Sequence, residues 1–139
     1  MKKLGIGILA LTLVAVIVPV LTQCQAFGRA IVLANGKTVP MKCHWTAEAA
    51  IAIAIPLGIV GIMMILGRRK ETLLSMSIIG AALGIVTILL PTVLFGVCAD
   101  NTMLCNSVMK PALILTGTLL AAVSLGGLFI SMRRLEPAA

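Results

Sequence analysis

The stretch Ala47–Leu66, AEAAIAIAIPLGIVGIMMIL, holds one charged side chain, Glu48, at its second position and is otherwise apolar or small. A helix needs roughly 17–25 such residues to cross a hydrocarbon core about 30 Å thick. In lipid a helix also satisfies its own backbone hydrogen bonds, which an open strand cannot do. Three further runs read the same way: Leu4–Leu21, Leu73–Val97 and Ala112–Met132. The expected fold is therefore all-α and membrane-embedded. It is a four-transmembrane-helix bundle in a single domain over residues 1–139, with helices at 4–21, 47–66, 73–97 and 112–132 and loops at 22–46 and 98–111. Composition agrees, with 60% hydrophobic residues, 11% charged residues and a mean hydropathy of +1.18, where water-soluble domains carry about 25% charge.

Orientation follows from the basic residues. Lys2, Lys3, Arg68, Arg69, Lys70, Arg133 and Arg134 flank the spans on one side, while Arg29, Lys37, Lys42 and Lys110 are spread thinly on the other. Lys and Arg concentrate in cytoplasmic loops, which predicts a multi-pass protein of the cytoplasmic (inner) membrane with both termini cytoplasmic and both long loops outside. The net charge of +7 is then accounted for by topology and contact with lipid headgroups. With one Trp and no Tyr there is no basic–aromatic surface for nucleic acid, and none is expected as a partner. The first run, after Lys2-Lys3, also has the layout of a signal peptide. Gln23 directly before Cys24 is a poor lipoprotein-processing site and Cys24-Gln25-Ala26 a marginal small-x-small site, so the run is read as a retained helix.

All four cysteines, Cys24, Cys43, Cys98 and Cys105, fall in the two outer loops. An even count in an oxidising compartment points to structural disulfides. Pairing within each loop, Cys24 with Cys43 and Cys98 with Cys105, needs the least chain reorganisation and would give the bundle a small disulfide-bearing extracytoplasmic cap. Each loop has a leading Cys followed by Met-x-Cys, Met41-Lys42-Cys43 and Met103-Leu104-Cys105, a weak sign of a parallel repeat along the membrane normal. In the first loop, Asn35-Gly36 between two short β-prone arms predicts a β-hairpin with a type I′ turn, one arm limited by Pro40. Pro111 suits the first turn of the fourth helix.

The densest chemistry lies in Met41-Lys42-Cys43-His44-Trp45-Thr46-Ala47-Glu48. His44 and Glu48 form a candidate proton-handling or ligand pair, because ionisable groups in a membrane segment are costly and usually functional. The structural alternative has Thr46 capping the helix, Glu48 favouring its positive end and Trp45 in the interfacial belt. Met41, Cys43, His44, Met103, Cys105 and Met109 are candidate ligands for a soft metal, since thioether, thiolate and imidazole suit Cu(I). Thiol–quinone redox chemistry and haem binding are further alternatives, although no Cys-x-x-Cys pair is present. No nucleophile–base–acid set, phosphate loop or paired carboxylate occurs, so no catalytic residue is assigned and an enzyme is disfavoured.

Gly80 with Gly84, Gly117 with Ala121, and Ala122 with Gly126 each place small residues one turn apart, which lets helix backbones approach closely. Pro19, Pro56 and Pro91 interrupt the first three helices and favour kinks. The Met-Lys-Cys-His-Trp-Thr-Ala-Glu box, with the later Gly96-Val97-Cys98, Met103-Leu104-Cys105 and Pro111-Ala112, resembles a family of small prokaryotic four-helix membrane proteins catalogued as domain of unknown function 4418. The resemblance spans nearly the whole chain. It implies a four-span fold with two Cys-bearing outer loops and supplies no activity. The functional expectation is a non-enzymatic subunit or oligomer-forming scaffold of a larger membrane assembly, such as a transporter accessory. Its partners would be the bilayer and other membrane subunits or further copies of itself, and no cofactor is required. The alternatives are the redox, copper and haem readings above.

Overall fold

The computed structural model describes residues 2–23, 30–67 and 69–133. Its elements in order are α1 (Lys2–Thr22), β1 (Ile31–Val32), β2 (Thr38–Val39), α2 (Lys42–Leu66), α3 (Lys70–Leu89), a π-turn (Leu90–Leu94), a second π-turn (Cys105–Met109) and α4 (Lys110–Arg133). Among the described residues four stretches are long and apolar enough to span a membrane: Lys2–Thr22, Lys42–Leu66, Glu71–Leu94 and Cys105–Arg133. α1 packs most extensively on α2 and α3 on α4, and the α1–α4 and α2–α3 contacts close the bundle.

Small side chains take many of the inward positions, beside large core residues such as Ile8, Leu57, Met64 and Leu120, and many large side chains face outward. Ala15, Ala47, Ala50 and Ala54 are buried, while Ile6, Leu13, Ile55, Ile59, Leu115 and Phe129 are exposed. Lipid tails are as apolar as leucine, so no hydrophobic force drives helices together and close van der Waals contact must do it instead. The α3–α4 seam shows this. A Cβ added at Gly84 would lie 2.8 Å from the Ala121 nitrogen, and one at Gly117 would lie 2.9 Å from the Gly84 carbonyl oxygen. Farther along the seam Gly80 faces Ser124 and Gly127 faces Ser77. α1 and α2 cross at Gly5 and Gly61, where a Cβ on Gly5 would come within 2.9 Å of the Gly61 carbonyl. Ala122 is exposed and Gly126 opens onto empty space, so this pair faces away from the bundle.

Buried hydroxyls mostly satisfy themselves on their own helix. Thr12, Ser77, Thr87 and Thr116 each donate to the carbonyl four residues back, at 2.7–2.8 Å. Pro19 and Pro56 lie inside helices. At Pro91 the helix instead widens into the π-turn, because the ring has no N–H to continue the four-residue register. Pro111 stands likewise just after the second π-turn, at the second position of α4.

The hairpin is present, with Ile31 opposite Val39 and Val32 opposite Thr38. Its turn differs from the type I′ expectation. Within the turn only Gly36 has positive φ, at 73°, and among the described residues no non-glycine residue does. The Gly36 N–H donates to the Leu33 carbonyl and the Leu33 N–H to that of Lys37, both at 2.9 Å. This is the three-residue loop in which a type I turn is closed by a left-handed glycine; Asn35 keeps a negative φ and the glycine alone carries the strain. α2 also starts earlier than the hydropathy suggests, with Met41 as N-cap and no side-chain cap. Thr46 is therefore in the second turn and does not cap the helix.

Gly84→Ala should cost about 1–3 kcal/mol by overpacking the crossing, whereas Gly126→Ala should be close to neutral. Unfolding of the two variants in the same micelles, followed by denaturant or temperature, measures the difference.

Candidate functional site

The bundle brings four helix ends together at the end that carries the 30–41 and 95–104 segments. Cys43 sits in the first turn of α2, Cys98 follows the π-turn at Pro91, and Cys105 opens the π-turn that leads into α4. The Sγ atoms of these three residues all lie within 4.8 Å of one another. Cys43 and Cys105 are fully buried and Cys98 is half-buried. Cys98 and Cys105 do not form the loop-local disulfide expected from the sequence; what replaces it is a three-thiol group that spans both loops, with Cys43 as the third member. The physical reason is the helix pairing, which sets the start of α2 beside the α3–α4 loop. The expected Cys24–Cys43 pair involves Cys24, which lies outside the described residues.

Two sets of contacts hold the group in place. The Thr46 hydroxyl, fully buried, donates to the Gly96 carbonyl at 2.7 Å. This ties α2, one turn after Cys43, to the chain two residues before Cys98. Gly96 turns the chain with a φ of 71°, a conformation that only glycine adopts without cost. On the return path the Asp100 carboxylate accepts from the Thr102 N–H at 3.0 Å and its hydroxyl at 2.8 Å. The Asn106 amide donates to Asn101 Oδ1 at 2.7 Å. Such hydrogen bonds from short polar side chains let the loop double back, and Cys105 thereby returns to Cys98.

The surroundings are sulfur-rich and apolar. Cys43, Cys105, Met109, Leu90, Ala50 and Leu113 form one buried cluster, and Met41, Cys98 and Met103 pack against it. Burial, together with hydrogen bonding to Cys105 and Cys43 and the charges those two would carry, pushes the Cys98 thiol up to about 11 from 9.0. The thiol form is therefore favoured at neutral pH, since a thiolate in apolar surroundings is costly unless a cation compensates it. Five of the six ligands read from the sequence, Met41, Cys43, Met103, Cys105 and Met109, belong to this cluster. Cys98, absent from that set, joins them.

His44 is turned elsewhere. Its Nδ1 lies 3.4 Å from Gln23 Oε1, and its ring stands edge-on to Trp45 with centroids 5.8 Å apart. Glu48 is one turn further along α2 and exposed. The two share a helix at i, i+4 spacing, and His44 engages Gln23 just past the end of α1.

Compared with known proteins, the chain matches one family model, described as Domain of unknown function (DUF4418), over residues 4–130. No curated protein and no solved structure matches it.

Thr46→Val leaves the Gly96 carbonyl without its donor and should cost about 1–3 kcal/mol, while Thr46→Ser should keep the bond. In the reduced wild type, maleimide should modify Cys98 first and reach Cys43 and Cys105 only through local opening. Thr46→Val should shorten that lag. Peptide mass spectrometry over a labelling time course gives the order.

Proposed function

The chain belongs to the DUF4418 family, whose description names no activity, and from its own chemistry we propose that it is a non-enzymatic membrane protein that binds a soft monovalent metal ion, Cu(I), in the sulfur cluster at the loop end of its bundle. The observation that carries this reading is the convergence of Cys43, Cys98 and Cys105 to within 4.8 Å. Metal–thiolate bonds of about 2.3 Å would set the edges of a trigonal or tetrahedral sulfur group at roughly 3.8–4.0 Å, so the thiols need to draw in by less than about an ångström. Softness favours Cu(I), because thiolate and thioether ligands select it. The methionines Met41, Met103 and Met109 packed in the same cluster supply the thioethers. A structural Zn(II) site takes four nitrogen or sulfur ligands; among the described residues, three thiols converge and His44 engages Gln23. By the charge asymmetry of the loops, the cluster faces the extracytoplasmic side of the inner membrane.

Anaerobic titration of the reduced protein in mild detergent against a chromogenic Cu(I) chelator should show one ion per chain. Cys43→Ser and Cys105→Ser should each weaken binding by about tenfold or more. Metal binding displaces thiol protons, so apparent affinity should rise with pH, by up to about tenfold per unit for each proton released. For Cys98 the rise continues until the pH passes about 11. Tighter binding of Zn(II) than of Cu(I), or no binding of either, would overturn the assignment. So would a stable Cys43–Cys98 or Cys98–Cys105 disulfide in peptides from native membranes, which would return the group to the structural cap. Impermeant thiol reagents should label Cys98 on intact cells; labelling only after permeabilisation would put the cluster on the cytoplasmic side.

A second reading, as a subunit of a larger assembly or of its own oligomer, is favoured by Ala122 and Gly126. They lie four apart on α4, with Ala122 exposed and no atom within 4 Å of a Cβ placed on Gly126. Small residues at that spacing let a neighbouring helix approach. Native mass spectrometry should then show a dimer or a co-purifying membrane protein that Gly126→Leu releases while Cu(I) binding is unchanged.

A further inference from the structure

Beside the sulfur group is a polar cleft of about 410 Å³ whose walls include Thr92, Gly96, Cys98, Asn101, Asn106 and Lys110. Of the three converging thiols only Cys98 lines it; Cys43 and Cys105 are sealed at 0% exposure. The cleft is thus a route from the aqueous side to the cluster, and Cys98 stands where the two meet. The cleft also has its own recognition chemistry. Among the described residues Lys110 contributes the one cation on its walls, and the Asn106–Asn101 pair, joined by a single bond of 2.7 Å, retains amide N–H groups for a guest. A cation and amide donors beside a thiol suit a small molecule that has both a carboxylate and a sulfur.

We propose that Cu(I) reaches the cluster as the complex of a small carboxylate-bearing thiol, held in this cleft by Lys110 and handed over at Cys98. This rests on the metal reading above and adds the carrier and the route. In the first exchange the Cys98 S–H bond breaks and the Cu–Sγ bond forms. The bond from copper to one carrier thiolate breaks, and that thiolate leaves with the Cys98 proton as a neutral thiol. Cys43 or Cys105 displaces the second carrier thiolate by the same exchange. Copper stays Cu(I) throughout, and no oxidant or reductant is consumed. Cys98 takes the first step because it alone of the three thiols lines the cleft, while Cys43 and Cys105 are sealed behind it.

The test compares two sources of the same ion under anaerobic conditions, Cu(I) bis-glutathione and Cu(I) in acetonitrile, and follows copper–thiolate absorbance by stopped flow. Lys110→Gln should slow transfer from the glutathione complex by about tenfold or more, leave transfer from acetonitrile unchanged, and reach wild-type occupancy from both. Cys98→Ser should lose the fast phase with either source. Equal rates for wild type and Lys110→Gln with glutathione, or equal slowing with both sources, would overturn the carrier proposal while the metal reading stands. A Lys110 effect that vanishes once lipid is stripped would assign the lysine to a lipid phosphate and also overturn it. Failure to load from acetonitrile as well would remove the metal reading itself, and this inference with it.

Discussion

Close approach of helix backbones is the constraint from which the rest of this molecule follows. In a hydrocarbon solvent the helices gain nothing by hiding leucine, so they adhere only where their surfaces allow contact at van der Waals distance. Gly5 against Gly61 in the first hairpin, and Gly84 against Gly117 and Ala121 in the second, are such places. A single methyl at Gly84 or Gly117 would collide with backbone, which cannot swing aside as a side chain can. These crossings fix the helix pairs, and the pairs fix which helix ends meet.

What meets at the loop end is decided by that packing rather than by loop length. The start of α2 lies beside the α3–α4 loop, and the buried Thr46–Gly96 hydrogen bond holds them together at 2.7 Å. The π-turn at Pro91 and the positive φ of Gly96 then direct Cys98 toward Cys43, and the Asp100 and Asn101 turns bring Cys105 back. Each device is local and of ordinary strength. Their joint effect is a sulfur group that no single loop could form.

The spans were legible because hydrocarbon thickness translates directly into a length of apolar sequence, and the hairpin because Asn35-Gly36 punctuates two β-prone arms. The turn type was misread because Asn-Gly permits positive φ at both positions without requiring it at Asn35. The cysteine geometry was not legible for a deeper reason. Counting chain between cysteines captures the entropy of closing each loop and favours Cys98 with Cys105. It carries no information about which loop lies beside which helix end, and that placement is what brings in Cys43. The glycines at 5 and 61 were overlooked because they are far apart in sequence and make no i, i+4 pair, whereas Gly80 and Gly84 do. A search for small residues at opposite ends of successive spans would have found them.

Charge explains why such a cluster belongs at this boundary. Deep in the bilayer three thiolates would be prohibitively costly, and in open water three thiols would be exposed to oxidation; here two are sealed among methionine, leucine and alanine while the third touches a polar cleft. With its thiols protonated the group is neutral and compatible with its apolar surroundings. In the proposed complex, Cu(I) held by two of the three sulfurs as thiolates, with the third still a thiol, would carry one net negative charge, which needs a modest counterweight. Lys42 is next to Cys43 in the chain, and Lys110 lines the same cleft as Cys98. Under the proposed metal reading, Lys42, the neighbour of Cys43 in the chain, would be that counterweight, and Lys110 would be left to the guest in the cleft.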